Sequence, residues 1–302
     1  MKILILGGSG MLGHKLIQIL GTRFEIWSTI RAQFESVASF GIFDRDRTID
    51  GIDAMKFETV VDAINISDPD VVINAVGIVK QKETSKNVVT ALSVNSVFPQ
   101  LLAEMGKRFG FRFINISTDC VFSGAKGYYC ETDALDALDL YGQSKRWGEV
   151  EGDNCLTIRT SIIGRELGLG DGLLEWFIAH RNQQVPGYAN AIFSGFPTAI
   201  LADIIGDITE SYPELSGIFH ISSNPISKFE LLSKINTRFG LGITVEKFDD
   251  LEIDRSLDSA KFRKATGFQP LSWDEMIDAL AADPTPYDKW NNQSNLKESE
   301  YS

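Results

Sequence analysis

Cysteine and histidine are both scarce in this 302-residue chain: Cys120, Cys130 and Cys155 on one side, His14, His180 and His220 on the other. An odd cysteine count without C-x-x-C spacing, and histidines with no ligand spacing, argue against a disulfide framework and a zinc site, so no metal is expected. Positive charge is also short. Twenty-nine Lys plus Arg face 41 Asp plus Glu, a formal net charge of −12, which repels phosphate backbones and speaks against general nucleic-acid binding. No stretch approaches about 20 consecutive apolar residues, so no membrane span is expected. The opening run Ile3 to Leu6 is cut by glycines and is too short for the apolar region of a signal peptide. Reduced thiols and the lack of a leader point to the cytoplasm.

What is present is an ordinary folded composition, 43% apolar and 23% charged, with chain enough for one large unit or two intimate ones. Runs apolar at consecutive positions recur at Ile3 to Leu6, Phe24 to Ser28, Val71 to Ala75 and Phe113 to Ser117. Between the first two, Leu12, Leu16, Ile17, Ile19 and Leu20 follow the spacing of a helix buried on one face. Such alternation predicts an α/β doubly wound parallel sheet, with Leu156 to Ile158 and Ile218 to Ser222 as further strands. The expected division is a dinucleotide-binding domain over 1–163 and 198–222, a smaller mixed substrate-binding lobe over 164–197 and 223–283, and a loose polar tail over 284–302.

Gly7-Gly8-Ser9-Gly10-Met11-Leu12-Gly13 follows the first strand and opens the first helix. Glycines at this spacing let the backbone turn tightly and approach a pyrophosphate, while the helix N-terminus faces the negative charge. Gly7, Gly10, Met11, Leu12 and Gly13 are therefore the expected phosphate cradle of a Rossmann dinucleotide site. An NAD site usually carries an acid at the end of the second strand. Here Glu25 lies at the wrong end and Arg31 follows the strand, which suits the extra phosphate of NADP; NADP(H) is preferred and NAD(H) remains open. Asp53, with Ala54, is a further candidate contact, to the adenine amino group.

Tyr141 and Lys145 stand at i and i+4, one above the other on a helix face, downstream of a strand that ends in Thr118-Asp119. A phenol of ordinary pKa about 10 works as a neutral-pH acid-base only if its anion is favoured by roughly 4 kcal/mol, which a neighbouring ammonium helps to supply. These residues, together with Asp70 to Ala75, Asn95, Cys120-Val121-Phe122, Arg159-Thr160-Ser161, Pro197-Thr198 and Gly217 to His220, resemble the extended short-chain dehydrogenases/reductases, within them the dTDP-4-dehydrorhamnose reductase-like branch. The resemblance covers residues 1 to 283.

The resemblance implies hydride transfer from NADPH or NADH to the C4 ketone of a nucleotide-linked 4-keto-6-deoxy sugar, supplying deoxysugars for surface polysaccharide. By position, Thr118, Tyr141 and Lys145 would be catalytic, Thr118, Asp119 and Tyr141 would hold the sugar, and Ala75, Val76 and Gly77 would line the cofactor along with Tyr141 and Lys145. A homodimer is the family default. Cys120 stands where the family usually has tyrosine and Ile162 where it has an aromatic residue, both near the expected sugar pocket. Two alternatives stay open: a nucleotide-sugar epimerase or dehydratase on the same scaffold, and a cofactor-binding regulatory subunit like the non-catalytic β subunit of methionine adenosyltransferase. The three histidines read as core or surface residues, Asp203 with Asp207 as a solvated helix face, and the acidic run Glu246 to Asp254 as a solvated loop. Trp176, Phe177, Tyr188 and Phe193 are read as core packing or as a stacking surface for a nucleotide base.

Overall fold

A computed structural model describes residues 1–78, 87–168, 170 and 172–290. Residues 79–86 of the expected nucleotide-binding domain, 169 and 171 of the expected lobe, and the tail beyond 290 lie outside the described residues. Strands β1 (Lys2–Leu6), β2 (Glu25–Thr29), β3 (Thr48–Ile49), β4 (Val71–Asn74), β5 (Arg112–Thr118) and β6 (Cys155–Thr160), with the edge strand Gly217–His220, form one sheet. Its order is edge strand, β6, β5, β4, β1, β2, β3, and every pairing is parallel.

The consecutive apolar runs are explained by burial on both faces. Ile3, Ile5, Ile73, Ile114 and Ile158 point into one core, while Leu4, Leu6, Val72 and Phe113 point into the other. Side chains of a strand alternate between faces, so a run without a polar position is what a doubly covered strand requires. The two-residue strand β3 escapes the sequence pattern because it is too short to carry a period.

Strand order reverses between β1 and β4, and the crevice at their carboxyl ends is where an open α/β sheet takes a ligand. The helical run Val88–Phe109 is the one described stretch long and apolar enough by composition to cross a membrane; half of its most apolar window is buried within the fold. Five of its residues, Ser93–Val97, form a π-helical turn. Such turns are rare and gather at functional sites.

Beyond β6 the chain adds short strands. Gln184–Tyr188 pairs in parallel with Thr244–Phe248, and Ala191–Phe193 lies between Ile226–Ser227 and Ile253–Asp254. Two expectations are corrected here. Glu246 lies within a paired strand, and Asp254 within another, so the acidic run is not simply a loop. Thr244–Phe248 is mostly exposed, which allows a charged sequence to pair through its backbone. Residues 284–290 are not loose: Tyr287 and Trp290 are buried against the first helix and Phe40.

Candidate active site

The glycine loop turns at Gly7, whose φ of +83° only glycine adopts without strain. It is tied back by Gly8 N–H to the Thr29 carbonyl (2.8 Å) and Gly10 N–H to the Gly7 carbonyl (3.0 Å). A Cβ on Gly13 would run into the Gly7 carbonyl and the Gly8 Cα, so this glycine lets the first helix, Gly13–Leu20, start against the loop. That helix has neither a side-chain cap nor an acidic residue in its first turn. The N–H groups of Met11 and Leu12 donate to no acceptor among the described residues. Open donors at an uncapped, acid-free N-terminus are the complement of a diphosphate.

Ala75, Val76 and Gly77 continue β4 beside this loop. Ala75 donates to the Leu6 carbonyl, and a Cβ on Gly7 would touch Val76. Arg31 is exposed just past β2, at the expected rim. One oxygen of the Asp53 carboxylate accepts the Met55 N–H at 3.0 Å in the turn before the helix Phe57–Ser67, and Ala54 packs against the core.

The helix Leu140–Trp147 carries Tyr141 and Lys145, and Asp139 caps its N-terminus by accepting the Gly142 N–H at 2.9 Å. Gly142 and Gly148 explain its close approach. Side chains there would enter the Cys120 and Asn95 carbonyls respectively. Lys145 is buried and donates to the Ile116 carbonyl at 2.7 Å; burial lowers its ammonium to about 8 against the pull of Glu149. Tyr141 faces the Thr118 hydroxyl, and burial raises its phenol well above the ordinary value, the opposite of the favoured anion expected from an ammonium at i+4. Thr118 itself donates to Asp119 (3.1 Å) and accepts the Cys120 N–H (3.1 Å).

Asp119 is buried, and its carboxyl is raised by desolvation, opposed first by Arg255. Burial pushes the Cys120 thiol up to about 12, which makes it a neutral packing group rather than a nucleophile. Thr118, Asp119, Cys120, Tyr141 and Lys145 thus converge at the end of β5, one strand beyond β4.

The π-helical turn contributes Asn95. Its side chain bonds the Ile78 backbone at both ends (2.9 and 3.1 Å) and donates to Ser144 (3.1 Å), joining the end of β4 to the helix of Tyr141 and Lys145. Beneath the site, Arg159 and Glu149 form a buried bidentate pair at 2.8 Å, and Glu149 also accepts from Ser117.

Two cations from the lobe were not legible as site residues. Lys228 opens the helix Lys228–Phe239, a position the helix dipole disfavours for a cation. Its ammonium lies 4.2 Å from the centre of the Phe193 ring, faces Asp119 and Cys120, and makes no hydrogen bond among the described residues; burial lowers it to about 8. Arg255 donates to the Phe122 carbonyl at 2.8 Å and adds its charge beside Asp119. No motif marks them, because the chain brings them to β5 only by folding back.

Of the aromatic candidates, Phe177 and Phe193 are core residues, Trp176 lies near the surface with its ring tilted 45° to His180, and Tyr188 sits beside Phe248. His14 and His220 are buried, His180 is on the helix surface, and no cluster of metal-ligating side chains occurs among the described residues.

Residues 1–284 match the family RmlD substrate binding domain. The chain is 26% identical to the dTDP-4-dehydrorhamnose reductase of Aggregatibacter actinomycetemcomitans over 93% of this chain and 98% of that one. It is 31% identical to the enzyme of that name from Burkholderia thailandensis, over 74% of this chain and 73% of that one. The fold is shared with the Bacillus anthracis dTDP-4-dehydrorhamnose reductase in complex with NADP, at a TM-score of 0.77 and 21% identity, covering 94% of this chain and 99% of that one. With the glycine loop, the Thr118, Tyr141 and Lys145 set and a family match over nearly its whole length, the chain belongs to the RmlD substrate binding domain family, the dTDP-4-dehydrorhamnose reductase-like branch of the extended short-chain dehydrogenases/reductases.

Proposed function

We propose that this protein is an NADP(H)-dependent reductase of the C4 ketone of a nucleotide-linked 4-keto-6-deoxy sugar, of the dTDP-4-dehydrorhamnose reductase type, working in the cytoplasm in deoxysugar supply for surface polysaccharide. One observation carries the reading: Thr118, Tyr141 and Lys145 meet at the end of β5, beside a glycine loop whose open N–H groups suit a diphosphate. The nicotinamide, when bound, supplies the hydride. Tyr141, protonated because burial disfavours its anion, gives its proton to the oxygen that becomes the C4 hydroxyl. Thr118 holds that oxygen, and the Lys145 ammonium steadies the phenolate left behind and holds the nicotinamide ribose. Asp119 accepts from a sugar hydroxyl.

The test is NADPH consumption, followed by absorbance, across dTDP-linked and UDP-linked 4-keto-6-deoxy sugars. Consumption with one nucleotide class establishes the reductase and its base. Tight NADPH binding with no consumption across the panel would instead favour the epimerase or regulatory reading.

Lys228 extends the sugar site. Its ammonium, lacking a hydrogen-bond partner among the described residues and facing the Asp119 carboxylate, is placed to donate to a sugar oxygen next to the hydroxyl that Asp119 accepts. Lys228→Met should raise KM for the sugar nucleotide by about tenfold, the value of one charged hydrogen bond, while NADPH affinity holds. Steady-state kinetics with each substrate varied in turn checks this; an unchanged sugar KM removes Lys228 from the site. For the cofactor, Arg31→Ala should weaken NADPH by on the order of 2 kcal/mol and leave NADH nearly unaffected. Titration with both nucleotides decides, and equal weakening defeats the assignment of Arg31 to the 2′-phosphate.

A further inference from the structure

His14, the residue after Gly13, is completely buried and is held from both sides. Its Nδ1 lies 2.8 Å from the Gly10 carbonyl oxygen, which also accepts the His14 backbone N–H at 3.1 Å. Its Nε2 lies 2.7 Å from the Tyr287 hydroxyl. A carbonyl only accepts, so Nδ1 carries the proton, and the Tyr287 O–H donates to Nε2. Burial holds the ring neutral at ordinary pH, with its pKa lowered to about 4, consistent with that single tautomer.

The stereochemistry of the loop gives this arrangement a consequence. The peptide joining Gly10 to Met11 is trans, so its C=O and N–H point in opposite directions. Holding the Gly10 carbonyl toward His14, into the protein, turns the Met11 N–H the other way, and that N–H has no acceptor among the described residues.

Tyr287 is itself anchored by the C-terminal segment. Next to it, the buried pair Lys15–Asp283 closes at 2.6 Å and Lys15 also donates to Thr285 at 2.8 Å. Arg165, 5.1 Å over the Tyr287 ring, bonds Asp288 at 2.7 Å and Glu175 at 2.6 Å. Residues 283–288 therefore strap the first helix to the lobe. A hydroxyl and an imidazole are buried here in a fixed donor order that ends on the loop.

We propose that His14 is a positioning residue for the cofactor cradle, and that Tyr287, delivered by the C-terminal strap, fixes the imidazole so that the Met11 N–H is preset toward the cofactor diphosphate. The proposal rests on the reading that the glycine loop holds NADPH.

The experiment is NADPH titration of the protein alone, by nucleotide fluorescence, for the wild type, His14→Leu, His14→Asn and Tyr287→Phe, with thermal melts to show that each is folded. An asparagine amide reaches the place of Nδ1–H, so His14→Asn should keep NADPH Kd within about threefold of wild type while His14→Leu raises it about tenfold and Tyr287→Phe falls between. Affinity for dTDP, measured separately without cofactor, should be the same in all four proteins. If His14→Asn is as weak as His14→Leu, if His14→Leu binds like wild type, or if dTDP affinity falls in parallel, the positioning role is overturned. Should His14→Leu fail to fold, an unchanged Kd in Tyr287→Phe overturns the proposal, and a raised Kd there together with a near-native Kd in His14→Asn upholds it. Failure of the wild type itself to bind NADPH would strike the underlying cofactor reading instead.

Discussion

Tyr141→Phe should lower reductive turnover by about three orders of magnitude, the middle of the range for losing a positioned general acid. The change removes one oxygen and leaves the ring in its packing, so NADPH affinity should stay within about twofold and the melting temperature should hardly move. Thr118 would keep its bonds to Asp119 and the Cys120 N–H. The pH dependence follows from the two groups in series. Burial raises the phenol, so its proton is retained in alkali, whereas the Lys145 ammonium, at about 8, is lost as pH rises through that value. Reduction should therefore fall on the alkaline side of about pH 8 in the wild type. Single-turnover kinetics against pH, with Tyr141→Phe alongside, checks both statements. A Phe variant that turns over like the wild type would show that another group supplies the proton.

Gly13→Ala should damage both the cofactor site and the fold. The new methyl group meets the Gly7 carbonyl and the Gly8 Cα, all backbone, and cannot be relieved by a side-chain rotation. Overpacking of this kind costs about 2–3 kcal/mol, which for a chain of this size lowers Tm by roughly 5 °C. Because the strain is relieved only by moving the helix N-terminus away from the loop, NADPH affinity should fall by roughly a hundredfold or more. Gly10→Ala is the control. Its methyl meets only the Gly7 carbonyl, at 3.3 Å, so stability should be close to native while cofactor approach is still hindered. Calorimetric titration and a melt on each variant separate the two effects, and native affinity in Gly13→Ala would refute this account of the loop.

The sheet and the cradle were legible for the same reason: both are local patterns. A strand buried on two faces must be apolar at consecutive positions, as Ile3 to Leu6 and Val71 to Ile73 are, and a chain that must pass a carbonyl without a Cβ needs glycine at that position. Tyr141 and Lys145 share a helix face by spacing alone. Paired but exposed strands were not legible. Thr244–Phe248 satisfies its backbone through Gln184–Tyr188 and so keeps a charged sequence that reads as loop.

The sequence by itself determined the α/β class, the glycine loop, the order of the chemistry-bearing residues and the family, because each is written in short spacings that backbone geometry imposes. Only the tertiary structure decided which distant groups meet them. Lys228 and Arg255 reach Asp119, Asn95 ties β4 to the helix of Tyr141, and Tyr287 closes on His14 across 273 residues of chain. The physical reason is that such contacts carry no local period: a buried polar group must find its partner, but nothing near it in the chain says where that partner will come from.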